Sequence, residues 1–230
     1  MKALDTSEPT IGMAQTIVNQ GYQAVGVYLR PDRCSAAMVA ELRHAGLKNW
    51  SMYEKGFPTH DEYFTTARGS VDGHAAAAFA KQVIAQPAGT DIYACVDYDP
   101  DHNNAQGPTI SGRISDYMRA FASAVDQAGY VSSVYGSGRT CRILVANGLA
   151  RRGWLCVSSS FAEHAEFLPH AALVQKRCHK QQLGSRRDSG SRRRLVASFP
   201  KTGGRVPAPR RAVQGSSDLP APSSRVAAVA

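Results

Sequence analysis

The feature that most constrains this chain is a repeated change of hydrophobic period. Short apolar runs suited to buried strands, at 3–6, 24–29, 49–54, 91–99, 132–136, 153–158 and 171–175, alternate with stretches of helical spacing. Residues 9–20 carry Ile11, Ala14, Ile17 and Val18 on one face and stop at Gly21. Ser35 is placed to cap a helix through Val39, Leu42 and Ala45 that ends at Gly46, and Asp72 to cap the alanine-rich 73–86. Helices are also expected over 110–128 and 141–147, whereas 59–69 shows no clear period. Strand–helix alternation with connections this long predicts a parallel α/β sheet. The expected fold is a (β/α)8 TIM-like barrel, small or incomplete at its C-terminal end, because such barrels typically need about 250 residues. A doubly wound open sheet is the alternative.

Composition matters because it changes abruptly after Gln175. Residues 1–175 hold 14 Lys plus Arg and 16 Asp plus Glu, a net of −2. Residues 176–230 hold 13 basic and 2 acidic residues, a net of +11, so the overall charge of +9 belongs to the tail. Both Trp, all nine Tyr and six of the seven Phe lie in the first part. Two segments follow: a barrel domain over 1–175 and a basic tail over 176–230, rich in Arg, Ser, Pro and Gly, expected to be disordered. No apolar run is long enough to cross a bilayer, so no membrane partner is expected. No signal-peptide pattern opens the sequence, and the chain as written is expected to be cytoplasmic. The five cysteines show no C-x-x-C spacing, and a single Cys34–Cys141 bridge is left open. No metal or cofactor is expected, since the histidines lack ligand spacing.

The chemistry sits at the strand ends. In a parallel barrel the C-terminal ends of the strands converge on one face. Asp5 closes the first strand, Glu54 the third, and Asp97 and Asp99 the fourth. Asp97 and Asp99 are two residues apart and would share one side of a strand. Crowded carboxylates raise one another's pKa, so one can donate a proton while another stays ionised, as glycoside hydrolysis requires. Asp97 and Asp99 are the preferred catalytic pair, with Asp5 and Glu54 as positioning or electrostatic groups. Tyr28, Tyr98, Tyr135 and Trp154 are the candidate aromatic surfaces for a sugar ring. A single strand-end Asp can equally be a cap or turn residue, and Asp99 precedes Pro100.

Several motifs carry a family resemblance. They are Asp5-Thr6-Ser7, Gly21-Tyr22, Val27-Tyr28-Leu29, Ala45-Gly46-Leu47-Lys48, Tyr53-Glu54, Asp72-Gly73, Pro87-Ala88-Gly89-Thr90, Val96-Asp97-Tyr98-Asp99, Val134-Tyr135-Gly136-Ser137-Gly138 and Trp154-Leu155. In this order they resemble the glycoside-hydrolase-like domain of unknown function widespread in actinobacteria, a family similar to the family-25 lysozymes. The resemblance spans residues 3–175. It implies a TIM-like barrel, a cell-wall polysaccharide such as peptidoglycan as substrate, and secreted or wall-associated relatives. Asp5 then matches the first-strand acid of the lysozymes, and Asp97 the first acid of their Asp-x-Glu strand. Asp99 stands where those enzymes carry Glu and is one methylene shorter. Relatives also continue past a strand-borne Gln, matched by Gln175, into a barrel-closing run that the arginine-rich tail replaces.

Three functions remain: a glycoside hydrolase acting on peptidoglycan-like glycans, a non-catalytic or degenerate sugar-binding barrel, and a tail that binds nucleic acid. The tail's cations would give salt-dependent binding without sequence preference, and its one aromatic, Phe199, offers little stacking, so no specific nucleic-acid partner is expected.

Overall fold

The computed structural model describes residues 1–177 and 195–198. Seven parallel strands wind into an almost complete barrel: β1 (Lys2–Asp5), β2 (Ala24–Tyr28), β3 (Lys48–Tyr53), β4 (Asp91–Cys95), β5 (Val131–Gly136), β6 (Gly153–Leu155) and β7 (Leu173–Arg177). Each pairs in parallel with the next, for example Ala24 with Lys48 and Asp91 with Val131. The α/β barrel is therefore the observed fold, and the open-sheet alternative is excluded. An eighth strand, β8 (Leu195–Ser198), runs antiparallel between β7 and β1 and closes the ring.

That closure corrects the boundary drawn from composition. The barrel does not end at Gln175: β7 continues to Arg177, and Leu195–Ser198 supplies a strand from within the arginine-rich segment. Leu195-Val196-Ala197-Ser198 is the one short β-compatible run between the arginine clusters, and the open edges of β1 and β7 offer it unpaired backbone groups. The rest of the expected tail, 178–194 and 199–230, lies outside the described residues, as does Cys178.

The helices cover the outside. They are α1 (Ala14–Asn19), α2 (Ala36–His44), α3 (Thr66–Gln82), α4 (Ser115–Gln127), α5 (Gly138–Ala146) and α6 (His164–Phe167). Ser35 caps α2 as expected, accepting the N–H of Met38 at 3.2 Å. A π-helical turn, Ile110–Ile114, leads into α4. Asp72 is not a cap. The helix begins seven residues earlier, with Thr65 accepting from the N–H of Arg68 at 3.2 Å. Asp72 lies buried inside α3, where its carboxylate accepts hydroxyls from Tyr63 at 2.8 Å, Tyr117 at 3.0 Å and Tyr53 at 3.3 Å. Gly69 and Gly73 make this packing possible. A Cβ on Gly69 would fall 2.2 Å from the Tyr117 carbonyl oxygen, and one on Gly73 2.7 Å from that of Phe121. These glycines cost helix propensity and return a close α3–α4 contact.

Strand alternation sorts the core into two layers. Leu4, Val25, Val27, Tyr53, Ile92, Val134 and Leu155 point outward to the helices. Ala3, Ala24, Trp50, Met52, Tyr93, Cys95, Tyr135, Trp154 and Leu173 fill the barrel interior. Cys34, Cys95, Cys141 and Cys156 are all buried free thiols, so no Cys34–Cys141 bridge exists. Among the described residues no helix is long and apolar enough to cross a membrane.

Candidate active site

Following each strand's inward row upward gives the floor of the site. Ala3 leads to Asp5, Ala24 to Tyr28, Met52 to Glu54, Cys95 to Asp97, and Leu173 to Gln175. Period-two alternation therefore brings residues from five strands to one mouth.

Asp5 is the most enclosed of these acids, with 1% of its surface exposed. Its Oδ1 accepts the Tyr28 hydroxyl at 3.2 Å, and its Oδ2 accepts the Gln175 Nε2 at 2.6 Å. Gln175 cannot be turned around. Its Oε1 accepts both the Tyr135 hydroxyl at 2.9 Å and the backbone N–H of Val157 at 3.0 Å, leaving the amide NH2 for Asp5. Burial pushes the Asp5 carboxyl up to about 6, against the two donors that favour its charged form.

Glu54 and Asp97 differ in kind. Neither carboxyl has a hydrogen-bond partner among the described residues, yet both sit in a recess that disfavours charge. Desolvation, then the neighbouring Asp97 carboxylate, pushes Glu54 up to about 7, opposed by Arg30. Arg30 also donates to the Glu54 carbonyl at 3.3 Å. Asp97 is open to solvent at the mouth, but the surrounding protein still removes enough water to raise its carboxyl above the usual range. Asp5, Glu54 and Asp97 thus act on one another electrostatically, with a proton available to Glu54 near neutrality.

Asp99 does not join them. The inward row of β4 carries two residues past the strand end at Cys95 to Asp97, and beyond that Asp99 is engaged in loop contacts. Its Oδ2 accepts His102 Nδ1 at 2.6 Å and the N–H of Ala162 at 2.8 Å, tying the β4–α4 and β6–α6 loops together. Its Oδ1 is buried without a hydrogen bond among the described residues.

The aromatic candidates also separate. Tyr28 lies half-buried at the mouth and touches Asp5. Tyr135 is buried and serves Gln175. Trp154 has no exposed surface and stands edge-on to Trp50, Tyr93 and Tyr135, so it fills the barrel and cannot meet a sugar. An inward ring on a short strand is enclosed by its neighbours rather than presented. Tyr98 faces outward, donating to Asp61 Oδ1 at 2.6 Å and stacking on Phe64. Phe161, which sequence reasoning missed, packs against the interior cluster from the β6–α6 loop, as Tyr28 does from β2. No periodic signal marks a loop residue of that kind. Gln175 carried such a signal through its match to relatives, though not the role the geometry gives it. Among the described residues no group of three or more His, Cys, Asp or Glu could hold a metal ion.

The family model described as the Rv2525c-like, glycoside hydrolase-like domain matches residues 15–194. The chain belongs to this family. The matched range runs past Gln175, in keeping with a domain that extends into the arginine-rich segment. The crystal structure of the Tat-secreted protein Rv2525c of Mycobacterium tuberculosis, solved in complex with HEPES, superposes with a TM-score of 0.64 at 21% identity, over 86% of this chain and 94% of that one. An uncharacterized B. stearothermophilus protein superposes with a TM-score of 0.57 at 13% identity, over 87% and 96%. Both likenesses are of fold. The uncharacterized protein YbfG of Bacillus subtilis is 29% identical over 168 residues, which is 66% of this chain but 22% of YbfG. The chain thus spans about a fifth of the length of this relative.

Proposed function

We propose that the barrel mouth is a glycan site in which Glu54 and Asp97 carry out acid/base hydrolysis of a glycosidic bond. The observation that carries this reading is the convergence of Asp5, Glu54 and Asp97 at the strand ends, two of them without hydrogen-bond partners among the described residues. Glu54, raised to about 7 by burial and by Asp97, is the proton donor to the leaving oxygen. Asp97, the more open of the two, is the ionised partner that activates water or faces the developing oxocarbenium charge. Asp5 accepts on both oxygens, so it adds negative charge beneath the site and is not the donor. This assignment puts Glu54 into the catalytic pair in place of Asp99, whose Oδ2 is engaged with His102 and Ala162.

The substrate class is peptidoglycan or a related cell-wall polysaccharide. Tyr28, half-buried beside Asp5, supplies apolar surface next to the carboxylates, as a sugar ring requires. The fold-relative Rv2525c is Tat-secreted, which puts that protein where wall glycans are found. The test is loss of turbidity of cell-wall suspensions with appearance of reducing ends. Activity that survives in a Glu54→Gln/Asp97→Asn double variant would remove this site.

One observation favours a second reading, a sugar-binding barrel without turnover. Asp99, the other acid of the pair read from the sequence, has its Oδ2 engaged by His102 and the Ala162 N–H, unlike Glu54 and Asp97. Wall-glycan binding by the wild-type protein with no reducing ends released would select it.

A further inference from the structure

Phe57 is the most exposed large hydrophobic side chain among the described residues, at 77%. Its position is built rather than frayed. It lies on the turn that leaves Glu54, and chain geometry keeps its Cα within about 11 Å of that residue's. On one side Lys55 is pinned, its carbonyl accepting the Tyr63 hydroxyl at 2.7 Å, while Tyr63 is itself fixed to Asp72. On the other side Pro58 is buried, and its carbonyl accepts the N–H of Asp97 at 2.9 Å. Gly56 turns the chain with φ +78°, and the N–H of Thr59 returns to the Phe57 carbonyl at 2.8 Å. An aromatic ring is therefore held in solvent on a turn tied at both ends to Glu54 and Asp97.

A phenyl ring held in solvent gains free energy when a ligand covers it. Pinning the turn also means that little conformational entropy is lost when a ligand arrives. We propose that Phe57 is a stacking platform for a sugar unit next to the scissile bond, binding the apolar C–H face of a pyranose. Phe57 stands between Glu54 and the Pro58 carbonyl that accepts from Asp97, so its turn borders the two acids. This rests on the glycan reading above and adds to it a specificity for chains over single sugars, because a rim platform gains only from a ligand that extends beyond the acids.

The experiment compares binding of soluble peptide-free peptidoglycan glycan strands by wild type, Phe57→Ala and Phe57→Trp. The expected result is about tenfold weaker binding by Phe57→Ala and retained binding by Phe57→Trp. Both native indoles are buried, so the added fluorescence of the Phe57→Trp variant reports from the rim and should shift to the blue when strands bind. Strand binding by wild type and Phe57→Ala with equal affinity overturns this inference and leaves the glycan site standing. No strand binding by wild type overturns both. Loss of self-association in Phe57→Ala, with strand affinity intact, assigns the ring to a protein contact and also overturns it.

Discussion

Two regions of this barrel surround carboxylates with tyrosines, and they do so to opposite ends. Between α3 and α4, Asp72 is buried and accepts three tyrosine hydroxyls. At the mouth, Glu54 and Asp97 accept no hydrogen bond from the described residues, while Tyr28 and Gln175 serve only Asp5 beneath them. A carboxylate saturated with donors is a fastening, because its charge is already satisfied and any change leaves polar groups orphaned. A carboxylate desolvated but not saturated holds free energy that a ligand or a proton can use. The two regions are connected. Tyr53 and Tyr63 anchor on Asp72, and through Tyr53 and the Lys55 carbonyl they flank Glu54 on both sides. The fastening holds the working residue in place.

The sharpest way to break the contrast is to remove the fastening. Asp72→Ala leaves the buried Tyr53 and Tyr117 hydroxyls without their acceptor, Tyr63 keeping the Lys55 carbonyl, and should lower the unfolding free energy by about 3 kcal/mol, read from urea denaturation. Glu54→Gln and Asp97→Asn should lose no stability in the same assay, since each removes a poorly solvated charge. An Asp72→Ala protein as stable as wild type would erase the distinction.

The second effect is on turnover. Each of Glu54→Gln and Asp97→Asn should reduce wall lysis about a hundredfold or more, the usual scale for removing a positioned acid or base. Asp99→Asn stands between the two kinds, since its Oδ2 is bonded and its Oδ1 is not among the described residues. It weakens the bonds to His102 and Ala162, costs about 1 kcal/mol in thermal or urea unfolding, and keeps most of the lytic activity. A reversed pattern, with Asp99→Asn inactive and Glu54→Gln active, would return Asp99 to the catalytic pair in place of Glu54.

What could be read from the sequence followed what periodicity controls. Asp5, Glu54 and Asp97 were legible because each continues the inward row of a strand, and alternation carries it to the mouth. Extending that rule a further step to Asp99 misses the loop contacts with His102 and Ala162 that take its Oδ2. Trp154 was misjudged because direction does not give depth: the same inward row that presents Asp97 encloses a ring lower in the barrel. Asp72 looked like a cap because Gly69 and Gly73 interrupt the helical pattern. Their reason is the approach of α4, a contact 45 residues away in the chain for Asp72 and Tyr117 that no local window contains. Phe57 and Phe161 sit on loops, where no period exists to read.

The smallest effect is also the one that separates the two regions without changing a residue. Asp5 and Glu54 bind protons more tightly folded than unfolded, with carboxyls raised from ordinary values of 3.8 and 4.5 to about 6 and about 7. Between about pH 4 and pH 7 the folded protein therefore carries more protons than the unfolded chain, and its stability falls as pH rises across that window. Acids of the opposite kind act elsewhere. Glu163, held below its ordinary range chiefly by its bond to Arg142, and Glu41, held low chiefly by the Gly12 N–H, lose their contribution only as pH falls below about 4.5. Stability measured by urea unfolding should thus decline from pH 5 toward pH 7 and level off above it. Glu54→Gln should flatten the upper part of that decline while leaving the part due to Asp5. A wild-type curve that rises from pH 5 to 7 would mean that the mouth carboxylates are satisfied after all, and that the barrel holds two fastenings and no working pair.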